Sequence, residues 1–487
     1  MNKTTIIKNA FFSFLKSFVT LLSPIITFPY ASRILMPEGI GKINFANSVI
    51  LYFIILAELG IGKYATREIA KVKNNLSALT QLTKEIFLIN LISTLISYGL
   101  FIISIIIIKK FSDYRLLLII CSSKILFTTI GMDWFYNGME EFKYISFRSI
   151  FFQVISILYL FLFVKSSDDY IEYAIFTLIS SVGSNFLNFL HIHKFLSFRL
   201  KVPINLTKHL KYIFTFFGMT LVTSVYEILD TTMLGFLAND FETGIYSAST
   251  KIIRMAIDVI NSISAVFLPR LSQYFSQNKS EEFDSLLSNS FKIISLLVQP
   301  IMLGVFLLSP SLILIFCGTS FSTSLLPMRI LCSIVFFISF SNLIACQILP
   351  AINKEKISMI SFICAAISNV IFNFLFIPKY GAVGAALGTT IAEFFAFIIP
   401  FIFISKYFFK YDILKNFLQS TIATIIMGIV IFGVLKIIDN LVLKVIVNII
   451  IGITVYFSIL VLQKNEMIFI ILKKTGFKKK LKSVYYL

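Results

Sequence analysis

The chain has 487 residues, of which 57% are hydrophobic, 54 are phenylalanine and only 14% are charged. Soluble domains carry about a quarter charged residues, so a water-soluble globular protein is excluded. The formal net charge of +19 lies in short loops and the C-terminal tail, a pattern of positive-inside loops and attraction to anionic headgroups, and one that speaks against nucleic acid.

The short basic N-terminus, MNKTTIIKNAFF, runs into a long apolar segment with no small-residue cleavage site. It reads as a retained first span. Apolar runs of about twenty residues then recur, near 10–32, 42–62, 86–108, 114–136, 146–164 and 170–192. After a basic stretch they resume near 211–237, 243–268, 289–316, 323–350, 357–377, 382–405, 414–436 and 442–462. That is an all-α polytopic membrane protein of about fourteen helices. A weak repeat of six plus six spans suggests an N-terminal lobe at 1–195, a basic cytoplasmic linker at 196–210 and a C-terminal lobe at 211–405. Two further helices fill 406–463, and a basic cytoplasmic tail follows at 464–487. Two six-helix lobes around a central cavity are a common transporter plan. With the N-terminus inside, inner segments collect roughly 29 of the 43 Lys and Arg residues, which places both termini in the cytoplasm.

Several spans carry polar stripes. In the first, Ser13, Lys16, Thr20, Ser23, Thr27 and Tyr30 share one helical face, interrupted by Pro24 and Pro29. The second holds Asn44, Asn47 and Glu58, the fourth Lys124, Thr128 and Asp133, and the seventh Thr220, Thr223, Glu227 and Asp230. The eighth, YSASTKIIRMAIDVINSISAVFLPR, stacks Lys251, Arg254 and Asp258 on one face, with Ser247 and Asn261 extending it. Charges facing lipid cost several kcal/mol each, so such residues face a bundle interior or a watery cavity. Two arrangements are open. Either Asp258, Glu227 and Asp230 neutralise Arg254 and Lys251 in a buried packing cluster, or the stripe lines a cavity. On the cavity reading the interior cations are Lys16, Lys124, Lys251 and Arg254. Arg33 and Lys42 lie near the outer mouth, and Lys63 and Arg67 near the inner one. Such a lining attracts an anionic cargo, and Glu227, Asp230 and Asp258 are candidates for coupling to H⁺ or Na⁺.

Other chemistry has little support. Cys121, Cys317, Cys332, Cys346 and Cys364 all sit in apolar segments without C-x-x-C spacing. His191, His193 and His209 lie beside basic residues with no acidic neighbour in sequence, so no metal site is expected. No nucleotide-binding glycine loop, cofactor motif or catalytic triad is present, and the short loops leave no room for a catalytic domain. Gly381, Gly384 and Gly388 suit close helix packing beside Glu393.

Five stretches carry a family likeness: FPYASRILMPEGIGKINFANS, GIGKYATREIAKVKNN, GMDWFYNGMEEFKYISFRSI, ETGIYSASTKI and GAVGAALGTTIAEFF. They resemble the Wzx-type oligosaccharide flippases, in the polysaccharide transporter branch of the superfamily that also holds multidrug extruders and lipid II flippases. The most specific pieces are Thr66 to Ala70 and Asp133 to Gly138. Family members often have Gly-Pro-Glu where this chain has Met36, Pro37 and Glu38. The resemblance implies no enzyme. It implies a flippase moving undecaprenyl-pyrophosphate-linked oligosaccharide, an O-antigen or capsule repeat, to the outer leaflet of a bacterial inner membrane by alternating access. Lys16, Lys251 and Arg254 would then meet the pyrophosphate, with Arg33 at the lumen mouth. Membrane lipids and other polysaccharide-assembly proteins are the implied partners. A drug or cation antiporter on the same fold is the alternative, and a membrane glycan polymerase or ligase the third reading.

Overall fold

Hydrocarbon offers no partner for a backbone N–H or C=O, so a chain this apolar satisfies its backbone within helices. The computed structural model describes residues 3–197, 203–410 and 413–474, and every regular element among them is helical. Among the described residues eleven helical stretches are long and apolar enough to cross a membrane. Two of them, at 62 and 51 residues, far exceed the roughly twenty needed for one crossing. Each contains a break, at Met36 (φ 58°) and Gly381 (φ 52°) respectively.

The chain forms two compact units, Met1–Ser247 and Ala248–Leu487. The first contains α1 (Lys3–Glu58), α2 (Ile61–Val72), α3 (Leu76–Ile107), α4 (Lys109–Asp113), α5 (Arg115–Gly131), α6 (Asp133–Gly138), α7 (Phe142–Phe163), α8 (Tyr170–Leu178), α9 (Asn185–His191) and α10 (Thr207–Leu237). The border falls within α11 (Asp240–Ser264). One core of this unit packs Ile61, Tyr64 and Ile69 of α2 against Ile86 of α3 and Phe135 and Tyr136 of α6. A second packs Phe45 and Ile50 of α1 on Phe101 of α3 and Leu118 of α5.

The second unit continues with α12 (Phe267–Ser276), α13 (Ser280–Phe316), α14 (Leu325–Ser341), α15 (Leu349–Ala351), α16 (Glu355–Lys410), α17 (Ile413–Val434), α18 (Leu441–Leu462) and α19 (Glu466–Lys474). Its core joins Leu296 of α13, Met427 of α17, Tyr456 and Leu460 of α18 and Ile468 of α19. At its heart the Tyr456 hydroxyl donates to Leu296 O at 2.9 Å and pairs with Ser420 at 2.7 Å.

The backbone of α1 leaves helical angles at Met36, not at Pro24 or Pro29. Met36 combines φ 58° with ψ 177°, a region that L side chains enter only under strain. This is the position where the resembling family often has glycine, which enters that region freely. Beyond the break, Pro37 O lies so close to Gly244 that no Cβ fits there, and Gly41 meets the Asp240 carbonyl the same way. Two of the five family-like stretches therefore meet backbone to backbone.

Candidate functional site

Two more of those stretches converge on each other. Gly131 closes α5, and Met132, with φ 41°, turns the chain so that α6 starts at Asp133. Helix α6 then packs on α2. Gly138 rests on the Ile69 side chain with 2.6 Å between that chain and an added Cβ, so only glycine fits. Thr66 Oγ1 donates to Trp134 O at 3.2 Å and to Gly62 O at 2.8 Å. The segments Thr66 to Ala70 and Asp133 to Gly138 thus form one packed unit.

Beneath it lies a buried charge. Arg148, which a count of loop cations would assign to the inner surface, is 5% exposed in α7. Its Nη2 donates to Asp133 Oδ1 at 3.0 Å, and its Nη1 donates to Ser184 O at 2.8 Å and Asn185 Oδ1 at 3.2 Å. Asn188 Nδ2 donates to the same Asp133 oxygen at 2.9 Å. Asp133 is therefore locked in orientation from one side, while half of its side chain stays accessible.

The accessible side opens on a cavity of about 460 Å³. Its polar wall comes from Glu58, Lys63, Asn90, Thr128, Asp133 and Asn137, with Trp134 beside them. Glu58, Thr128 and Asp133 belong to polar stripes legible in the sequence, and Lys63 was expected near the inner mouth. Asn90 and Asn137 were not singled out. An amide isolated in an apolar span, as Asn90 is, was the available signal. Asn90 Nδ2 donates to Ala57 O at 2.8 Å, which aligns α3 with the end of α1.

A fully buried carboxylate ties α3 to α10. Glu85 is fully buried and accepts from Lys208 Nζ at 2.8 Å, from Asn205 N at 2.9 Å and from Gln81 Nε2 at 3.1 Å, and it pairs with His209 Nε2 at 2.9 Å. The Tyr64 hydroxyl meets His209 Nδ1 at 2.7 Å. His209, without an acidic neighbour in sequence, thus has one 124 residues away. Among the described residues no three His, Cys, Asp or Glu side chains gather as a metal site.

The expected cavity residues are distributed as follows. In the first unit Lys124 is half-buried, and its Nζ donates to Asn47 Oδ1 at 2.7 Å and Thr177 Oγ1 at 3.2 Å, both neutral. Lys16 is half-buried, and Arg33 is exposed with Nη1 on Pro29 O at 2.8 Å. Glu227 is exposed, while Asp230 is buried and accepts from the Tyr246 hydroxyl at 2.6 Å. The polar stripe of α1 splits. From Ser23 to Tyr30 it is spent on packing, with Ser23 bonded to Gln153 and the Tyr30 hydroxyl donating to Val164 O. In the second unit Lys251 is half-buried and Arg254 and Asp258 are exposed along α11. The Thr223 side chain and the tail lysines from Lys478 onward lie outside the described residues.

Another polar group sits where α4 and α5 meet the Ala238–Asp240 turn, around a cavity of about 370 Å³. There the Tyr114 hydroxyl donates to Asp240 Oδ1 and Lys110 to Gly235 O, while Lys42 stands over the Tyr170 ring at 4.9 Å. Lys110 lies between spans, and its burial pulls its pKa below the ordinary lysine value.

Among the described residues the chain is all-helical and multi-pass, with ionisable groups walled inside apolar helices, as in membrane transporters. The family described as Polysaccharide biosynthesis protein matches residues 6–275, more than half the chain, and the protein belongs to it. The MatE family matches residues 216–375. A putative O-antigen transporter of Shigella dysenteriae is 25% identical over 79% of this chain and 96% of its own length. The capsular polysaccharide biosynthesis protein CapF of Staphylococcus aureus is 25% identical over 82% of this chain and 100% of its own. Among solved structures the lipid II flippase MurJ, in an inward closed conformation, matches with a TM-score of 0.68 at 19% identity, covering 94% of this chain and all of that one. An inward-facing MATE multidrug transporter of the MOP superfamily matches at 0.62 and 16%, over 80% of this chain and 95% of that one. These structural likenesses establish a common fold.

Proposed function

We propose that the protein is a flippase that carries oligosaccharide linked to undecaprenyl pyrophosphate, an O-antigen or capsule repeat, across the bacterial inner membrane by alternating access. Family membership and the names of the relatives support a lipid-linked glycan as cargo. The observation that carries the reading is Lys124. It is a cation set within an apolar span and held by two neutral oxygens, with no carboxylate paired to it among the described residues. A packing charge would be neutralised as Arg148 is. An uncompensated one remains available to a diphosphate, whose own desolvation needs countercharge.

In this proposal Lys16, Arg33, Lys124, Lys251 and Arg254 meet the pyrophosphate during the cycle, and the polyprenyl tail stays in lipid. Glu227, Asp230 and Asp258 are the candidates for coupling to H⁺ or Na⁺. The moving lobes are 1–195 and 211–405, joined by the linker 196–210, with 406–463 as two added helices and 464–487 as the tail. Both termini are cytoplasmic, and other polysaccharide-assembly proteins act beside it.

The test is surface glycan export in a strain that lacks an O-antigen flippase, complemented with the wild type, Lys124→Ala and Arg254→Ala at equal membrane abundance. Export by the wild type but by neither variant is expected. Export by all three removes the cationic site, and failure of the wild type across several glycan types removes the function. A drug or cation antiporter is a second reading, favoured by the Glu58 carboxylate in a cavity wall. Saturable uptake of a lipophilic cation into proteoliposomes distinguishes it.

A further inference from the structure

The cavity between α2, α3, α5 and α6 is not built for a phosphate. Its ionisable wall is Glu58, Asp133 and Lys63, and Asp133 is already paired with Arg148, so the remaining balance is one carboxylate against one ammonium and a diphosphate finds no surplus of cations there. It is also large for a bare cation. About 460 Å³ falls in the range of roughly 300–1,000 Å³ typical of small-molecule pockets, whereas a cation is wrapped by oxygens at close range.

Its hydrogen-bonding capacity is mixed. Asp133 Oδ1 is taken by Arg148 and Asn188, but among the described residues Oδ2 and the whole Glu58 carboxylate have no hydrogen-bond partner. These are acceptors awaiting donors. Lys63 and Asn137 bring donors to the same wall. A ligand that both donates and accepts at several points satisfies all four, and hydroxyl groups do this. Trp134, the only tryptophan in the chain, adds an aromatic surface beside them. It is 7% exposed, and its indole Nε1 is buried without a hydrogen-bond partner. The wall is held in place before any ligand arrives, Asp133 by Arg148 and the Trp134 backbone by Thr66.

We propose that this cavity is a subsite for a neutral polyhydroxy group, the sugar nearest the diphosphate of the lipid-linked cargo. The inference rests on the flippase reading for the origin of that sugar. It assigns the glycan a contact separate from the cations that meet the phosphate. Glu58, Asp133 and Asn137 then select among sugars, because a site built to hydrogen-bond a hydroxyl discriminates strongly against an analogue that lacks it.

A single tryptophan makes the test direct. Full-length protein in nanodiscs, excited selectively at its indole, is titrated through the millimolar range with neutral hexoses and N-acetylhexosamines, with inorganic pyrophosphate and with sodium chloride. At least one sugar should give a saturable change, and about tenfold weaker binding is expected in Asn137→Ala and in Glu58→Gln. Pyrophosphate should leave the indole unchanged. Both variants are checked for wild-type elution and melting, so that one misfolded protein does not decide the matter. A response to sodium and to no sugar overturns the proposal in favour of a cation site. Silence to every probe, or sugar binding equal in wild type and both folded variants, also overturns it. If complementation restores export while the indole is silent to sugars, the flippase reading stands and the subsite falls. A sugar response without export has the opposite meaning.

Discussion

Two regions of the molecule treat charge in opposite ways. Around α6, carboxylates are held by named partners. Asp133 has Arg148 and Asn188, and Glu85 has Lys208 and His209. Along α11, Arg254 and Asp258 stand exposed four residues apart in a helix apolar enough to cross a membrane. The first arrangement stabilises, since removing one member leaves the other uncompensated in a poor dielectric. The second contributes little to stability and carries the cost of charge in an apolar span, which is why Arg254 is proposed above to meet the cargo. An intramembrane charge therefore says little until its partner is known.

The contrast can be broken by substitution. The largest effect on stability is expected at Arg148. Replacing it by Ala strands a half-accessible Asp133 and a buried Asn185, and should cost about 3 kcal/mol in detergent unfolding. Glu85→Ala comes next. It leaves His209 and Tyr64 paired only with each other, and should cost about 2 kcal/mol, seen as a lower melting midpoint and faster proteolysis near 203–209. An unchanged midpoint in either variant would contradict the reading of these pairs as stabilising.

A smaller effect of opposite sign is expected at Met36. Met36→Gly relieves the positive-φ strain and should stabilise by about 1 kcal/mol, less whatever glycine gains in unfolded-chain entropy. Destabilisation instead would mean that the Met36 side chain contributes more than its backbone loses. The smallest effect on stability belongs to Arg254→Ala, within about 0.5 kcal/mol of wild type, although the same variant should lose export. A folded, abundant and inactive Arg254→Ala beside an unstable Arg148→Ala would establish the contrast. Similar melting losses in both would erase it.

Much of the fold was legible from sequence because the membrane imposes one rule on every span. Apolar runs of about twenty residues mark helices wherever they occur. The polar stripes that named Glu58, Thr128 and Asp133 were legible for a similar reason, since three- and four-residue spacing survives in any helix. Their roles were not. Lys124 and Arg148 look alike in the sequence, each a cation within or beside an apolar run. One is held by neutral oxygens and the other by a carboxylate. The α1 stripe looked uniform, yet from Ser23 to Tyr30 it packs on α7 and its C-terminal cap.

Amino-acid order alone determined that this chain is helical, crosses the membrane many times and carries more charge than lipid tolerates. Tertiary structure alone decided which charges are neutralised. Glu85 and His209 are 124 residues apart, and Thr66 and Trp134 are 68 apart. Helical periodicity relates only residues within a few turns, whereas partners at those separations are chosen by how whole helices pack, and only packing could bring four of the five family-like stretches together in pairs.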